Sequence, residues 1–183
     1  MKLPRLTALA LAAIVGAAAL PARAEVMVGG APMYATKDII DNAVNSKDHT
    51  TLVAAVKAAG LVDTLKGPGP FTVFAPVNAA FAALPAGTVD SLLKPENKAA
   101  LTKVLTYHVV AGKMDAAALK KAIAAGGGKA TLTEVSGGKL TATASGSTIM
   151  LTDESGGMAH VTIPDVLQSN GVIHVVDKVL LPK

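Results

Sequence analysis

The four histidines, His49, His108, His160 and His174, are the side chains best suited to proton transfer or metal binding. They are far apart in the sequence, and they form neither an H-E-x-x-H motif nor a mixed Cys/His pattern, since the chain has no cysteine. Folding could still bring three of them together. The spacing itself does not support a metal site, and we expect neither a metal nor another cofactor.

Motifs for nucleophilic catalysis and phosphate binding are also missing. The sequence has no G-x-S-x-G elbow to support a Ser-His-Asp hydrolase. The glycine run at 126–128 follows a predicted helix, whereas a phosphate cradle precedes one. Asp153 and Glu154 lie in a predicted turn, which we interpret as a solvated loop rather than a cation site. We therefore predict no catalytic residue and a protein that is not an enzyme.

Tyr107 and His108 are adjacent at the end of a predicted helix. The helix dipole favours a cationic imidazole there, and Tyr107 offers a hydroxyl beside it. Because no activated nucleophile accompanies them, we favour a structural role in which His108 hydrogen-bonds the backbone and holds the helix to the sheet. His174 alternates with Val172 and Val176 along a predicted strand, and a buried imidazole there must donate a hydrogen bond.

The elements that position these residues begin with a helical first half. Hydrophobic residues recur there at helical spacing, and residues of capping type indicate where helices start and stop. Asp48 and Asn78 are predicted N-caps, Gly60 is a predicted C′ residue, and Asp115 is predicted to cap the last helix. Between these helices, residues 71–75 are predicted to form a strand.

The second half of the chain alternates between apolar and polar residues with a period of two. This alternation predicts short strands with one solvent-exposed face, joined in antiparallel order by turns of glycine and serine. The Asn170-Gly171 pair predicts a tight turn that requires a positive φ. The predicted strands cover residues 130–135, 139–144, 148–152 and 159–163.

Residues 1–24 have the pattern of a cleaved secretory signal peptide. Lys2 and Arg5 precede an apolar run at 6–20, and Ala-Arg-Ala at 22–24 is typical of a cleavage site. The apolar run is shorter than the roughly 20 residues of a membrane-spanning helix. No second run is long enough to span a bilayer. We therefore expect a secreted protein, in the periplasm or at the cell surface, with no membrane span after cleavage.

Charge and length restrict the remaining possibilities. Three basic residues leave with the signal peptide, which lowers the formal net charge from +4 to +1. With three phenylalanines, two tyrosines and no tryptophan, the chain has no basic and aromatic platform for nucleic acid, and we expect none to bind. The length fits one domain, predicted at 36–183 after a flexible N-terminal arm at 25–35.

Three motifs, in this order, resemble those of the fasciclin (FAS1) domain. FTVFAPVNAAF at 71–81 resembles the first motif, Tyr107-His108 matches the central pair, and NGVIHVVDKVLLP at 170–182 resembles the second motif. The resemblance extends from about residue 36 to the C-terminus. The residues of the two long motifs that we expect to be structural are Phe71, Thr72, Phe74, Ala75, Pro76, Asn78, Phe81, Asn170, Gly171, His174 and Asp177.

The resemblance implies an α+β fold class. The expected FAS1 fold is a wedge-like antiparallel β-sandwich of about seven strands, with several α-helices in the N-terminal half. The two long motifs are expected in neighbouring central strands.

The resemblance also implies a non-enzymatic role in cell adhesion or cell-surface interaction. The expected partner is a cell-surface or extracellular-matrix protein or glycan, and the protein itself is expected to be a monomer or a weak homo-oligomer. In animal members the Tyr-His region is associated with receptor binding, which corresponds to Tyr107 and His108 here. The alternative is an envelope protein that binds a small ligand or a metal in a pocket near this pair.

Overall fold

The computed structural model of the protein describes residues 25–183, and the predicted signal peptide at 1–24 lies outside the described residues. Within this range, no helix has both the length and the hydropathy needed to span a bilayer. The α-helices of the described residues are α1 (Ile39–Ala43), α2 (Thr50–Ala59), α3 (Val62–Lys66), α4 (Asn78–Ala82), α5 (Thr88–Leu92), α6 (Lys98–Tyr107) and α7 (Ala116–Ala125).

The strands fall into a short N-terminal pair and a large sheet. The large sheet has seven strands in the order β4-β3-β9-β8-β7-β6-β5, while β1 and β2 pair with each other. The strands are β1 (Val26–Val28), β2 (Ala31–Met33), β3 (Phe71–Pro76), β4 (Val109–Ala111), β5 (Lys129–Thr133), β6 (Lys139–Ser145), β7 (Thr148–Thr152), β8 (Met158–Gln168) and β9 (Gly171–Val176).

This architecture confirms the α+β class and the helical N-terminal half. It also confirms that the two long motifs form neighbouring strands, since β3 lies beside β9. One detail differs from the expected antiparallel sheet, because β3 and β9 run parallel, with Phe71 opposite Gly171 and Pro76 opposite Val176. The long connection between them, which contains both helices and strands, is what a parallel pair requires.

The sheet curves until its two edges meet. Val110 in the edge strand β4 forms an antiparallel bridge with Glu134, which directly follows the other edge strand β5. The Val135 N–H donates to the Val109 carbonyl at 2.9 Å beside this bridge. The contact places Glu134 directly at the point of closure.

The strands β3 and β9 separate two hydrophobic cores. Val73 and Ile173 face the helical core, which they form with the apolar sides of α1, α2, α3 and α6. Phe74 and Val176 face the sheet core, which is enclosed by strands β5 to β8 and covered by α7. Successive residues of a strand point to opposite faces, so a strand between two cores must be apolar throughout.

Residues 25–35 differ from the expected flexible arm. They form the β1–β2 hairpin, whose Val28 and Met33 side chains are buried in the helical core. Gly29 and Gly30 make the turn with positive φ values. Burial of two apolar side chains explains why this segment is ordered, while the domain start at residue 36 stays a prediction.

Strand β8 is longer than the predicted strand at 159–163. It continues past Pro164 because the register shifts between Ile163 and Val166, and Asp165 adopts a φ of 58° in this bulge. A bulge lets a strand continue past residues that do not fit the ladder. The alternation of hydrophobic residues breaks at the bulge, which is why the sequence predicted an earlier end.

Candidate functional site

Tyr107 lies at the C-terminal end of α6 with its side chain fully buried. Its hydroxyl donates a hydrogen bond to the Lys139 carbonyl at 2.9 Å and accepts one from the Glu154 N–H at 3.1 Å. Burial raises the pKa of Tyr107 to about 12, so the phenol is neutral. The hydroxyl therefore connects the helix end to two surface turns, one before β6 and one after β7.

His108 follows directly and is also buried. Its Nδ1 lies 2.8 Å from the Val104 carbonyl, and its Nε2 accepts the Leu180 N–H at 2.9 Å. These partners assign the proton to Nδ1, and burial lowers the pKa of His108 to about 4. The helix dipole favours a cationic imidazole, but desolvation outweighs it, so the ring is neutral. His108 does bond the backbone, and it holds α6 to the C-terminal segment.

Neither side chain of this pair offers surface to a partner. The turns next to the partners of the Tyr107 hydroxyl are exposed: Val135, Ser136 and Gly137 lie in the turn before β6, and Glu154 and Ser155 lie in the turn after β7. We name these two turns the paired turns. A binding role for Tyr107 and His108 stays a prediction, and because Tyr107 is buried, its part in such a role would act through the paired turns.

Glu134 lies beneath the paired turns and is 3 % exposed. Its Oε1 has no hydrogen-bond partner, and its Oε2 is 3.5 Å from the Ser136 hydroxyl. Burial, together with the nearby Glu154 and Asp153 carboxylates, raises the pKa of Glu134 to about 8. The carboxyl is therefore largely protonated at neutral pH. Sequence reasoning missed it, although the period of two in the predicted strand at 130–135 places Glu134 on the same face as Ala130 and Leu132.

Asp153 lies close to Glu134 but is engaged by the backbone. Its Oδ1 accepts the Ser155 and Gly157 N–H groups at 2.9 and 2.7 Å, and its Oδ2 accepts the Leu181 N–H at 3.0 Å. It forms an Asx turn, not the solvated loop that was expected. Among residues 25–183, no group of three or more His, Asp or Glu side chains could hold a metal ion.

The first motif supplies strand β3 and the residues that fix its neighbours. The Thr72 hydroxyl donates to the Gly112 carbonyl at 2.7 Å and accepts the Met114 N–H at 2.8 Å. Phe74 stacks on His174 with their ring centroids 5.7 Å apart. Phe71, Ala75 and Phe81 are buried or half-buried in the helical core, and Pro76 is buried at the end of β3.

Asn78 caps a different helix from the predicted one. Its Oδ1 accepts the Thr51 N–H at 3.0 Å, and its Nδ2 donates to the Lys47 carbonyl at 2.8 Å. It therefore caps the start of α2 from across the structure, whereas the cap of α4 is Val77. The predicted cap Asp48 lies instead in a 3₁₀ turn that precedes α2. The expected Gly60 terminus is present, with a φ of 73°.

In the second motif, Asn170 bonds two helices. Its Oδ1 accepts the Ile39 N–H at the start of α1 at 3.1 Å, and its Nδ2 donates to the Leu65 and Gly67 carbonyls at the end of α3, at 2.7 and 2.9 Å. The expected positive φ in this turn is wrong, since neither Asn170 nor Gly171 has one. Glycine is needed at 171 because a Cβ there would meet the Phe71 carbonyl oxygen.

The side chains of His174 and Asp177 also form hydrogen bonds with backbone groups. His174 is fully buried, its Nε2 lies 2.8 Å from the Met114 carbonyl, and its Nδ1 accepts the Asp165 N–H at 3.3 Å. Burial lowers the pKa of His174, so the ring is neutral and donates the hydrogen bond that was expected. Asp177 accepts the His160 N–H at 2.7 Å and lies 3.1 Å from the His160 Nδ1.

The helical core contains an apolar cavity of about 60 Å³. Val56, Leu105 and Ile173 are among its lining residues, and His108 lies at its wall. The few polar lining groups include Ser46 and His49. No sequence pattern indicates this space, because a void depends on how side chains from separate elements fail to fill a volume.

Comparison with known proteins identifies a matching family and similar proteins. The Fasciclin domain model matches residues 47–182. Protein sll1483 of Synechocystis sp. is 50 % identical over 145 residues, which cover 79 % of this chain and 73 % of that protein. The Immunogenic protein MPB70 of Mycobacterium bovis is 39 % identical over 145 residues, which cover 76 % of this chain and 66 % of that protein.

A solved structure agrees with the described fold. The FAS1 domain pair from the insect cell adhesion molecule Fasciclin I matches with a TM-score of 0.71 and 17 % identity. The match covers 79 % of this chain and 51 % of that one. The FAS1 fold implied by the three motifs is therefore confirmed.

Proposed function

The chain belongs to the fasciclin family, and from this premise we propose that it is a non-enzymatic module for cell adhesion or cell-surface interaction. We propose further that it is secreted, to the periplasm or to the cell surface, after loss of the signal peptide at 1–24. Its partner would be a cell-surface or extracellular-matrix protein or glycan. The similarity to a structure from a cell adhesion molecule supports this class of function.

The observation that supports the proposal is the hydrogen bonding of the Tyr107 and His108 side chains to backbone groups. Both ring nitrogens of His108 and the hydroxyl of Tyr107 are occupied by backbone groups, so neither residue is free for acid-base chemistry. The Tyr107 hydroxyl helps to fix the shape of the paired turns, and His108 holds α6 to the C-terminal segment. A surface of fixed shape binds a partner with little loss of conformational entropy, as an adhesion surface requires.

Attachment of cells to surfaces tests the proposal. A deletion strain would be complemented with the full chain, with Tyr107→Phe, or with Tyr34→Phe, which changes the other tyrosine of the chain. Tyr107→Phe keeps the buried ring and removes only the hydroxyl that connects the paired turns. We expect the full chain and Tyr34→Phe to restore attachment and Tyr107→Phe to restore less.

Cross-linking in the same strains tests whether the change in attachment comes from binding to a surface component. Cross-linking on intact cells should recover a surface component with the full chain and less of it with Tyr107→Phe at equal protein abundance. If deletion leaves attachment unchanged and no surface component is cross-linked, the adhesion function is wrong. If Tyr107→Phe performs like the full chain, the paired turns are not the binding surface.

Binding of a metal at the Tyr-His pair, one form of the alternative function, is less well supported. His108 would have to give up the Leu180 N–H or the Val104 carbonyl to bind an ion. Binding of a small ligand has better support, since the cavity of the helical core reaches His108.

A further inference from the structure

The outer face of strands β7 and β8 carries two methionines beside a histidine. Met150 on β7 lies directly opposite His160 on β8, and Met158 on β8 lies opposite Thr152. The residues that alternate with them along both strands are buried in the sheet core. Because successive residues of a strand point to opposite faces, the side chains of Met150, Met158 and His160 all point away from that core.

The three side chains are placed so that they can reach one ion. Residues directly opposite each other in an antiparallel pair have Cβ atoms about 4.5–5.5 Å apart, and long side chains also reach their diagonal neighbours. Met158 is diagonal to Met150 and two residues from His160 on the same strand. A methionine side chain has three rotatable bonds, so both thioether sulfurs can turn toward the imidazole between them.

Asp177 fixes the ring of His160 from the side of β9. Its Oδ1 accepts the His160 N–H at 2.7 Å, and its own N–H donates to the His160 carbonyl at 3.2 Å. Its Oδ2 lies 3.1 Å from the His160 Nδ1, and because a carboxylate only accepts hydrogen bonds, Nδ1 is the donor. The Nε2 lies on the side of the ring away from Asp177. A carboxylate orients metal-binding histidines in this way, through the nitrogen that does not bind the ion.

The types of donor atom select the ion. Thioether sulfur and imidazole nitrogen together favour Cu(I), a soft cation. Zn²⁺ in proteins binds thiolate, imidazole and carboxylate groups, and Ca²⁺ binds oxygen, so neither ion would use the two methionines. A site with one histidine and two thioethers also agrees with the finding that residues 25–183 contain no group of three His, Asp or Glu side chains that could hold a metal ion.

From these observations we propose that the outer face of β7 and β8 binds one Cu(I) ion through the Sδ atoms of Met150 and Met158 and the Nε2 of His160, with Asp177 as a positioning residue. Met158 is 51 % exposed, so the ion can enter and leave from solvent. The proposal does not depend on the adhesion function, because none of these four residues belongs to the paired turns.

The test titrates Cu(I) into the protein without its signal peptide. Ascorbate in the absence of oxygen keeps the copper reduced, and a coloured Cu(I) chelator competes for it, so the loss of colour gives the stoichiometry and the affinity. We expect one Cu(I) per chain. The NMR signals of the Met150 and Met158 methyl groups and of the His160 ring should shift together, while the methyl signal of Met27, which is also exposed, should not move.

Matched methionine variants identify the ligands. Met150→Leu and Met158→Leu keep an apolar side chain and remove one sulfur each, so each should weaken Cu(I) binding at least tenfold. Met27→Leu makes the same change on β1 and should bind Cu(I) as the unmodified protein does. His160→Ala removes the nitrogen ligand and should weaken binding at least as much as either methionine variant.

Variants of Asp177 separate positioning from ligation. Asp177→Asn can still accept the His160 N–H, but its amide would donate to Nδ1 and leave the proton on Nε2, the nitrogen that binds the ion. We expect Cu(I) binding to weaken by about 10–100-fold, with one ion per chain retained. Asp177→Glu keeps the carboxylate and should restore part of the affinity. Equal affinities of Asp177→Asn and the unmodified protein would overturn the positioning role.

Three results would overturn the site itself. The first is that the unmodified protein shows no saturable binding of one Cu(I) per chain. The second is that Met150→Leu or Met158→Leu, folded by its NMR spectrum, binds Cu(I) as tightly as Met27→Leu does. The third is that Zn²⁺ shifts the two methionine signals as strongly as Cu(I) at the same concentration.

Discussion

At the scale of single residues, the buried histidines show how residues suited to catalysis can be structural. His108 and His174 each use both ring nitrogens on backbone groups, one of them nearby in the sequence and the other 72 residues away for His108 and 60 for His174. Such bonds replace the water that these backbone groups lose on folding. Both rings are neutral, because burial lowers the pKa of each. Their role is to hold backbone segments together by hydrogen bonds rather than to transfer protons.

Replacing His108 with alanine should destabilise the protein strongly. The change leaves the buried Leu180 N–H unpaired and opens a void, at a combined cost of about 2–4 kcal/mol. Urea unfolding followed by circular dichroism measures this cost. His160→Ala is the control, because His160 is exposed, and it should change stability by less than about 0.5 kcal/mol. Equal midpoints for the two variants would contradict the role assigned to His108.

Glu134 should make stability depend on pH in the opposite direction to the histidines. Its pKa is raised from 4.5 to about 8, so between these values the folded state binds more protons than the unfolded state. Stability therefore falls as pH rises through this range. For His108 the pKa is lowered from 6.5 to about 4, so its contribution is lost as pH falls through that range.

Glu134→Gln should remove the loss of stability at high pH. Glutamine keeps the shape of the protonated carboxyl but cannot ionise, so the variant should melt at a higher temperature than the unmodified protein at pH values above about 8. Thermal melting from pH 5 to about pH 9 measures this difference. Glu96→Gln, at an exposed position, should follow the unmodified protein. Parallel curves for Glu134→Gln and the unmodified protein would exclude Glu134 as the cause.

At the scale of secondary-structure elements, the motif asparagines hold helix ends that are distant in sequence. Asn78 caps α2, and Asn170 bonds the start of α1 and the end of α3. Short helices such as α1 and α3 have few internal hydrogen bonds, so bonds from outside contribute much of their stability. The two asparagines of the long motifs therefore lie beside strands in the sequence, but their side chains form hydrogen bonds with helix ends.

Asn78→Ala should weaken α2 rather than α4. Loss of an N-cap costs about 1 kcal/mol, and the Thr51 N–H would lose its partner. Hydrogen exchange should therefore accelerate in the first turn of α2 and not in α4. Asn45→Ala is the control at an exposed asparagine, and it should leave exchange in α2 unchanged. Faster exchange confined to α4 would restore the cap predicted from the sequence.

At the scale of the whole molecule, the protein is two cores separated by β3 and β9, with the sheet closed at Val110 and Glu134. The β1–β2 hairpin adds Val28 and Met33 to the helical core. The cavity lies in that core, and its lining residues come from several helices and from strands β3 and β9.

Met33→Ala should show that the hairpin is part of the domain. Met33 is 5 % exposed and Met27 is 56 % exposed, so the same substitution removes a buried side chain at one site and a solvated one at the other. We expect a loss of about 2–4 kcal/mol for Met33→Ala and less than about 0.5 kcal/mol for Met27→Ala. Unfolding in urea measures both. Equal small losses would support the flexible arm that the sequence predicted.

The sequence by itself determined the elements that depend on local periodicity. Alternation predicts a strand at 148–152, and the structure forms Thr148–Thr152 with the same bounds. The glycine at 60 ends α2 as predicted, and the aspartate at 115 caps α7 through the Ala118 N–H. These features depend on residues within one turn or one strand, so neighbouring residues are sufficient to specify them.

The tertiary structure alone decided which groups meet. The helix capped by Asn78, the parallel pairing of β3 with β9, the charge state of His108 and the burial of Glu134 all depend on contacts between residues far apart in the sequence. A neutral His108 follows from desolvation, which no local pattern reveals. The Tyr107-His108 pair was recognised from the sequence, but only the fold shows that both side chains are buried and that the Tyr107 hydroxyl bonds backbone groups beside the paired turns.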